Sequence, residues 1–178
     1  MKVLETLVDD KSFKRMIDRL AHEIMEHNSE TEKLALVGLR TRGEFVARRI
    51  QNVIQEKEQV EIPFGILDVT LYRDDVRQHL RQPEVKMTDL LFDITGKDII
   101  LVDDVLFTGR TARSALNALM DFGRPRTIQF AVLIDRGHRE LPIRADFVGK
   151  TVPTSRGQEV RVHLTEVDDH NGIDLIQL

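Results

Sequence analysis

The chain of 178 residues predicts an α/β fold with a mostly parallel central sheet flanked by helices. Residues 34–38 and 99–102 are continuous apolar runs without polar alternation, which is typical of strands buried on both faces of a parallel sheet. Each run leads into a polar turn and then into a stretch whose apolar residues have helical spacing. Residues 127–134 form a further apolar run of strand length, so predicted strands and helices alternate along the chain.

A long amphipathic helix is predicted near the start of the chain, over residues 10–27. Asp9 or Asp10 can cap its first turn, and Asn28 can end it. Charges of both signs occupy the polar face. The apolar stripe on the other face comprises Phe13, Met16, Ile17, Leu20, Ala21 and Ile24.

Shorter strands are predicted in two other parts of the chain. Residues 62–71 alternate imperfectly between apolar and polar side chains and indicate a third strand. Three short candidates follow late in the chain, around turns at Pro153 and Gly157, and indicate a small cover or extra edge strands. These candidates are residues 147–150, 159–164 and 173–178.

Composition restricts the class of protein. Hydrophobic residues make up 41% and charged residues 31% of the chain, as in ordinary globular proteins, and the length suits one domain over residues 1–178. The sequence has no cysteine, which excludes disulfides, thiolate metal ligands and a thiol nucleophile. No apolar run approaches the length of a membrane span, so we expect a cytoplasmic protein without a membrane partner. The net charge of −4 argues against a surface that is basic throughout but permits a local basic face.

The turn after the second apolar run has the composition of a phosphate-binding loop. Asp103 and Asp104 come first, at the carboxyl end of the strand, where open α/β sheets bind their ligands. Thr108, Gly109 and Thr111 then supply hydroxyls and a permissive backbone at the start of a helix, whose N–H groups can hold a phosphate. Because like charges repel, the two carboxylates instead suit ribose hydroxyls or a hydrated Mg²⁺ ion.

A second polar turn follows the run at residues 34–38. Arg40, Thr41 and Arg42 lie there, between a predicted strand and a predicted helix. Because the carboxyl ends of parallel strands meet at one edge of a sheet, we expect this turn and the acidic turn to face one crevice. Two arginines and a threonine in such a place suit a second anionic group.

Residues 99–111 resemble the 5-phosphoribosyl-1-diphosphate (PRPP) binding motif of the type I phosphoribosyltransferases: four apolar residues, two acids, two apolar residues and Thr-Gly-x-Thr. Phe107 stands where many members have a small residue, and an aromatic residue there resembles the pyrimidine operon regulators of the PyrR type. Residues 70–75, 135–146 and 149–155 also resemble that subfamily. The resemblance implies the type I phosphoribosyltransferase fold, with a small hood over the base.

The same resemblance implies a uracil phosphoribosyltransferase, which converts uracil and PRPP into UMP and pyrophosphate. It implies Mg²⁺ bound through PRPP, with no direct protein ligand assigned, and a flexible lid over about residues 73–92. The implied catalytic residues are Asp103, Asp104, Arg40 and Arg73. The implied substrate-binding residues are Arg40, Thr41, Asp103, Asp104, Val105, Leu106, Phe107, Thr108, Gly109, Arg110, Thr111, Arg136 and Val160.

A regulatory role is implied as well. With UMP bound, members of the subfamily bind the leader of the pyrimidine-biosynthesis (pyr) operon mRNA and promote premature termination of transcription. Such binding needs a basic surface outside the nucleotide crevice. The candidate residues are Arg15, Arg19, His22, Arg139, Arg144, Lys150 and Arg156. Asp18 on the first helix and the acidic net charge oppose RNA binding, and the family resemblance also implies a homodimer or higher oligomer.

Two alternatives remain open on the sequence alone. A purine phosphoribosyltransferase acting on hypoxanthine or guanine would share the same PRPP site. A non-catalytic regulator that senses nucleotides and binds RNA would keep the fold without turnover. The intact acidic pair and the intact basic turn favour retained catalysis over the second alternative.

Overall fold

The structure, a computed structural model, describes residues 2–69 and 88–178 and contains two sheets. Strands and helices alternate through most of the chain, which confirms the predicted α/β class. The strands are β1 (Lys2–Val8), β2 (Leu34–Leu39), β3 (Phe64–Leu67), β4 (Asp98–Leu106), β5 (Thr127–Asp135), β6 (Phe147–Thr151), β7 (Gln158–His163) and β8 (Gly172–Gln177). The helices are α1 (Asp10–His27), α2 (Arg42–Glu58) and α3 (Arg110–Met120), with a 3-10 turn at Thr31–Lys33.

Five parallel strands form the central sheet in the order β3-β2-β4-β5-β6. Alternate residues of the inner strands face opposite helical layers. Leu36 and Ile100 pack with α1 and α2, whereas Val37 and Leu101 pack with α3. Both faces of the sheet are therefore covered, which explains the continuous apolar runs that predicted these strands.

The smaller sheet is antiparallel and has the order β1-β8-β7. Three late segments were predicted to form a small cover or extra edge strands. Two of them form β7 and β8 of the small sheet, and the third forms β6 at the edge of the central sheet. The sequence did not predict β1, because its apolar residues do not alternate and most of its side chains are exposed. Val160 and Val162 of β7 pack into the core that contains α1 and α2, so the small sheet is joined to the central body.

Helix α1 has the predicted bounds and caps. The Asp9 carboxylate accepts a hydrogen bond from the Ser12 N–H at 2.8 Å, and the helix ends at Asn28. Every apolar residue of the predicted stripe is buried. Neither α1 nor any other helix in the described parts of the chain is long and apolar enough to cross a membrane.

Strand β3 covers only part of the strand predicted over residues 62–71, of which residues 70 and 71 lie outside the described part of the chain. It covers Phe64–Leu67 and lies at the edge of the central sheet. Pro63, which precedes it, has no N–H to donate, and its carbonyl oxygen accepts a hydrogen bond from the Leu36 N–H at 2.9 Å. The missing N–H agrees with the start of β3 at Phe64.

The segment predicted as a lid begins where the described residues are interrupted. Residues 70–87, which include Arg73, lie outside the described part of the chain. Asp89 forms an antiparallel bridge with Ile66 of β3, and Leu90 and Phe92 pack against the core on the α3 side. The described end of the segment is thus packed onto the body of the protein.

The first turn of α2 packs very closely against β2 and β4. A Cβ added to Gly43 would lie 2.5 Å from the Val102 carbonyl oxygen and 3.0 Å from the Asp103 Cα. A Cβ added to Gly38 would lie 2.4 Å from the Glu44 Cα. Backbone atoms cannot rotate aside as side chains can, so both positions require glycine. This packing brings the turn before α2 to the acidic pair.

Strand β4 continues past the predicted run, through the acidic pair, to Leu106. Gly109 follows with φ of 91°, a left-handed conformation that glycine adopts at little cost. Helix α3 then begins at Arg110, between the Gly109 and Thr111 that were predicted to lie at a helix start. Strand, acidic pair, small turn and helix therefore follow one another in the predicted order.

An ion-pair cluster stabilises the other end of β4, far from the acidic pair. Asp98 is 3% exposed and accepts hydrogen bonds from Arg126 Nε at 2.9 Å and Thr127 Oγ1 at 2.7 Å. Arg126 also pairs with Glu30 at 2.8 Å. The hydrogen bonds from Arg126 hold the pKa of Asp98 below its ordinary value, although burial acts in the opposite direction.

We expect Gly43→Ala to destabilise the protein by about 2 kcal/mol, because the added methyl group overpacks a contact between two backbones. Urea unfolding measures this change. Gly157→Ala is the matched control, because its Cβ would meet only the flexible end of the Gln177 side chain, at 3.1 Å. Equal unfolding free energies for the two variants would contradict the proposed role of Gly43.

We expect Asp98→Asn to lower the free energy of unfolding by about 2 kcal/mol near pH 7, because the charged hydrogen bonds to Arg126 are lost. The folded-state pKa of Asp98 is lowered, so the carboxylate contributes stability above the ordinary aspartate pKa and loses it as pH falls through the lowered value. Urea titrations at neutral pH and at several values below about 4 test this. The difference between wild type and variant should shrink on acidification, and a constant difference would contradict the assignment.

Candidate active site

The carboxyl ends of β2 and β4 lie side by side. The two strands are parallel, with Gly38 opposite Val102, so the turn at Arg40–Thr41 and the acidic pair extend from the same edge of the sheet. The contact of Gly43 with β4 holds the two turns close together. The structure thus brings both predicted anion-binding turns close together at one edge of the sheet.

A pocket of about 220 Å³ lies at the start of α3. Gly109 occupies the N-cap position and has no side chain with which to cap the helix. The first N–H groups of α3 and the positive end of its dipole are therefore suited to an anion. The pocket is lined by Asp103, Val105, Leu106, Phe107, Thr108, Gly109, Arg110, Thr111, Ala112, Phe130 and Glu140.

Backbone hydrogen bonds orient the acidic pair. The Asp103 carboxylate accepts from the Asp104 N–H at 2.9 Å, and the Asp104 carboxylate accepts from the Val105 N–H at 2.9 Å. Both residues are half-buried, and Asp103 lines the pocket while Asp104 does not. Two adjacent carboxylates at the rim disfavour an anion there and favour hydroxyl groups or a cation.

Arg110 lines the pocket, and its side chain is bound to Glu140, another residue of the pocket wall. Its Nε donates to the Glu140 carboxylate at 2.7 Å, so a negative charge that lines the pocket is neutralised by an ion pair. The N–H groups of Glu140 and Leu141 both donate to the Thr108 carbonyl oxygen, at 3.0 and 3.3 Å. The segment after β5 therefore fixes the shape of the loop before α3, a role that the sequence did not indicate for Glu140.

The turn before α2 carries the second set of predicted residues. The Arg40–Thr41 peptide bond is cis, and the Arg40 N–H donates to the Leu67 carbonyl oxygen at 3.1 Å. Arg40 Nε lies 3.6 Å from the Glu44 carboxylate. Thr41 occupies the N-cap position of α2 and makes no capping bond through its side chain. The start of this helix, like that of α3, is suited to an anion.

Arg136 lies apart from the 220 Å³ pocket and joins three elements. It is 7% exposed, and its Nη2 donates to the Gln158 carbonyl oxygen at 2.6 Å. Its Nε donates to Thr154 Oγ1 at 3.3 Å, and its guanidinium lies 4.1 Å from the centre of the Phe107 ring. Burial lowers the pKa of the Arg136 guanidinium below its ordinary value, and Glu159 opposes that shift. The end of β5, the loop before α3 and the start of β7 therefore meet at this side chain.

Val160 lies in the middle of β7, one of the two edge strands of the small sheet. The carbonyl oxygens of Gln158 and Val162, two residues away on each side, accept hydrogen bonds from the side chains of Arg136 and Arg42. Backbone groups of alternate residues point to the same side of an antiparallel strand. The N–H and carbonyl groups of Val160 therefore face this same edge, while its side chain is buried in the core.

The residues predicted to bind RNA fall into two groups. Arg15, Arg19 and His22 share one face of α1, and Arg19 hydrogen bonds to the Gly149 carbonyl oxygen, next to Lys150 of β6. Lys150 Nζ donates to the Leu7 carbonyl oxygen at 3.0 Å, Arg19 pairs with Glu23 at 2.6 Å, and His22 Nδ1 lies 2.6 Å from the Asp18 carbonyl oxygen. We call this surface of α1 and β6 the basic surface. Its members are Arg15, Arg19, His22 and Lys150.

Arg139, Arg144 and Arg156 form the second group and lie in the segments after β5 and β6. Arg139 is bound to internal acceptors: it donates to the carbonyl oxygens of Phe107 at 2.7 Å and Ile143 at 3.0 Å, and it pairs with Asp135. Its guanidinium thus supports the loop before α3, in contrast to the exposed Arg144 and Arg156.

Comparison with known proteins agrees with this geometry. Residues 3–166 match the phosphoribosyl transferase domain. A Bifunctional protein PyrR from Thermus aquaticus is 56% identical over 175 residues, which cover 98% of this chain and 97% of the relative. Another from Caldicellulosiruptor saccharolyticus is 53% identical over 178 residues, covering 100% and 98%. A hypoxanthine-guanine phosphoribosyltransferase structure from Bacillus anthracis covers 100% of both chains with a TM-score of 0.74 at 17% identity, which shows a shared fold.

The family match spans both turns that face the crevice and the strands that carry them. The similarity to the PyrR proteins extends over nearly the whole chain, including β7 and the segment between β5 and β6. The chain therefore belongs to the phosphoribosyltransferase family, among the relatives of the bifunctional PyrR proteins.

Proposed function

We propose that the protein transfers the phosphoribosyl group of PRPP to uracil, giving UMP and pyrophosphate, and that it binds pyr operon leader mRNA when UMP is bound. One observation carries the enzymatic part: two helix starts suited to anions flank a pair of carboxylates at a single edge of the sheet. PRPP has the complementary pattern, with a phosphate at one end, a pyrophosphate at the other and ribose hydroxyls between. The word bifunctional in the names of the relatives supports two activities.

In this proposal the 5′-phosphate occupies the 220 Å³ pocket, where the N–H groups of residues 107–111 and the α3 dipole bind it. The pyrophosphate lies at Arg40 and Thr41, which we call the pyrophosphate turn. Asp103 and Asp104 lie between the two anions and accept hydrogen bonds from the ribose hydroxyls. Binding both ends of the substrate holds the reacting carbon in place, because contacts remote from that carbon restrict its motion.

Catalysis in this proposal depends on stabilising the charges that develop on the ribose ring and on the pyrophosphate. Breaking the bond between C1 and the pyrophosphate places positive charge on the ribose ring, as in glycoside cleavage. Asp103 and Asp104 stabilise that developing charge, since their carboxylates are already oriented by backbone N–H groups. Arg40 stabilises the negative charge of the departing pyrophosphate. Arg73 is proposed to contribute from the segment outside the described residues.

The chemistry of the donor set fits a Mg²⁺ ion that arrives with the substrate. The described residues contain no group of three or more His, Asp or Glu side chains arranged to hold a metal. Mg²⁺ prefers oxygen ligands, and phosphate and hydroxyl oxygens of PRPP would be its main ligands, with Asp103 and Asp104 nearby. When bound, Mg²⁺ neutralises negative charge on the pyrophosphate.

The base is proposed to bind along the edge of β7. One edge of uracil presents an N–H donor beside carbonyl acceptors, and the Val160 backbone presents the complementary carbonyl and N–H groups. Arg136 acts on this interaction through the Gln158 carbonyl, two residues from Val160. Its role is to hold β7 in position beside Phe107.

RNA binding is proposed for the basic surface together with Arg144 and Arg156. Arg15, Arg19 and His22 project from one face of α1, beside Lys150 on the edge strand of the central sheet. Asp18 lies on the same face of the helix and reduces the local positive charge. The surface therefore contributes through a few phosphate contacts rather than through a strong general field.

We expect the protein to release pyrophosphate from PRPP with uracil, and far less with hypoxanthine or guanine. Asp104→Asn should reduce kcat/KM by about 100-fold, because one carboxylate that stabilises the ribose charge becomes neutral. Asp98→Asn makes the same substitution at the opposite end of β4 and should retain activity at temperatures where it is folded. Equal rates for wild type and Asp104→Asn, or a preference for a purine base, would refute the assignment.

We expect leader RNA to bind more tightly when UMP is present. Arg15→Gln should weaken that binding and reduce the slope of log K against log salt by about 1, because one phosphate contact is lost. Filter binding with and without UMP measures both effects. Arg124→Gln, which removes an exposed arginine outside both groups, is the control. Only nonspecific affinity, unchanged by UMP, would eliminate the regulatory role.

A further inference from the structure

We propose that Arg42 is a positioning residue that links the pyrophosphate turn to the base-binding edge of β7. Arg42 is the first residue of α2 and directly follows Thr41. The inference rests on the proposed function, because it assigns pyrophosphate to one end of this link and uracil to the other. Arg42 itself contacts neither substrate in this arrangement.

The contacts of Arg42 reach across to the small sheet. Its Nε donates to the Val162 carbonyl oxygen at 2.8 Å. Its Nη2 lies 3.4 and 3.3 Å from the two carboxylate oxygens of Asp168. The Arg42 and Asp168 side chains are only 31% and 25% exposed, so this ion pair is partly shielded from solvent. A planar guanidinium that bonds in two directions fixes the distance between its own backbone and its partners.

Asp168 is itself held firmly to the end of β7. Its carboxylate accepts from the Leu164 N–H at 3.0 Å, and its own N–H donates to the Leu164 carbonyl oxygen at 2.6 Å. The hydrogen bond from the Leu164 N–H to the carboxylate lowers the pKa of Asp168 most, and the positive charge of Arg42 lowers it further, although burial opposes the shift. The Asp168 carboxylate therefore stays charged at neutral pH, and Arg42 binds a rigid turn rather than a loose side chain.

The strand between these contacts carries the proposed base site. Arg42 holds the carbonyl of Val162 and Arg136 holds that of Gln158, so the edge of β7 is fixed on both sides of Val160. Each arginine adjoins a different part of the PRPP site: Arg42 follows the pyrophosphate turn, and Arg136, which follows β5, stacks on Phe107 of the loop before α3. A shift of the pyrophosphate turn on binding its anion is therefore transmitted through one residue to the edge that receives uracil.

A second arginine of α2 also binds the small sheet, and it allows the linking role of Arg42 to be distinguished from docking of that sheet onto the helix. Arg49, two turns further along α2, binds Glu166 through Nε at 2.9 Å and Asn171 through Nη2 at 2.7 Å. It anchors the segment between β7 and β8 to the same helix, as Arg42 does, but it lies far along α2 from the pyrophosphate turn. Both arginines contribute to docking, and only Arg42 touches β7 beside the turn.

Steady-state kinetics distinguish the linking role of Arg42 from docking of the small sheet onto α2. We expect Arg42→Gln to raise the KM for uracil by about tenfold, while kcat at saturating uracil changes by less than about twofold. Arg49→Gln, the matched control, should lower the melting temperature but leave the KM for uracil within about twofold of wild type. Arg42→Lys should have nearly the same raised KM for uracil as Arg42→Gln, because an ammonium lacks the planar fork with which the guanidinium binds Val162 and Asp168 together. Equal increases in KM for Arg42→Gln and Arg49→Gln, or no increase for Arg42→Gln, would overturn the inference.

Hydrogen exchange provides a readout that does not depend on turnover. Sodium pyrophosphate with Mg²⁺ should slow amide exchange in residues 158–163 of the wild type and of Arg49→Gln by about fivefold, and have no such effect on Arg42→Gln. If Arg42→Gln fails to fold, Asp168→Asn takes its place and should weaken the same protection. Absence of protection in the wild type would overturn the link even if uracil turnover is observed. Absence of uracil turnover with the protection intact would refute the proposed function instead.

Discussion

The arrangement of the site depends on a close contact between two backbones. Gly43 in the first turn of α2 rests on the Val102 carbonyl and the Asp103 Cα of β4, at a distance that leaves no room for a side chain. Because of this contact, the start of α2 and the acidic pair lie close together at one edge of the sheet. Parallel strands bring their carboxyl ends to the same edge of a sheet, but only tight packing brings the following turns within reach of one substrate.

Around this contact the charges alternate in a way that suits a substrate with anions at both ends. The starts of α2 and α3 are electropositive through their dipoles, and the carboxylates of Asp103 and Asp104 lie between them. The loop before α3 is shaped by hydrogen bonds from the segment after β5, where Glu140 and Arg139 bind Thr108 and Phe107. The strands and helices thus set the positions of the two helix starts, and neighbouring segments set the shape of the loops.

The sequence predicted the central sheet and the site at its edge more fully than the small sheet. Residues 34–38 and 99–102 are apolar without polar alternation, which is typical of strands buried on both faces, and the positions of the turns after them follow from that. The strand β1 escaped prediction, because its exposed side chains carry no alternating pattern. The contacts of Arg42 and Arg136 could not be predicted either, since they depend on which backbone carbonyls of β7 face outward. That choice follows from the register in which β7 pairs with β8.

The contacts that each arginine makes within the fold also decide what it can contribute to RNA binding. A tally of basic residues puts Arg19 and Arg139 on an RNA-binding surface, yet both guanidinium groups donate to internal carbonyl oxygens. Hydrogen-bonded arginines keep their charge but lose freedom to follow a phosphate backbone, so their contribution depends on where the fold holds them. With a net charge of −4, the protein cannot attract RNA through its overall field. Any recognition of RNA must therefore rest on a few well-placed side chains, and the fold that positions them is the one that positions the nucleotide.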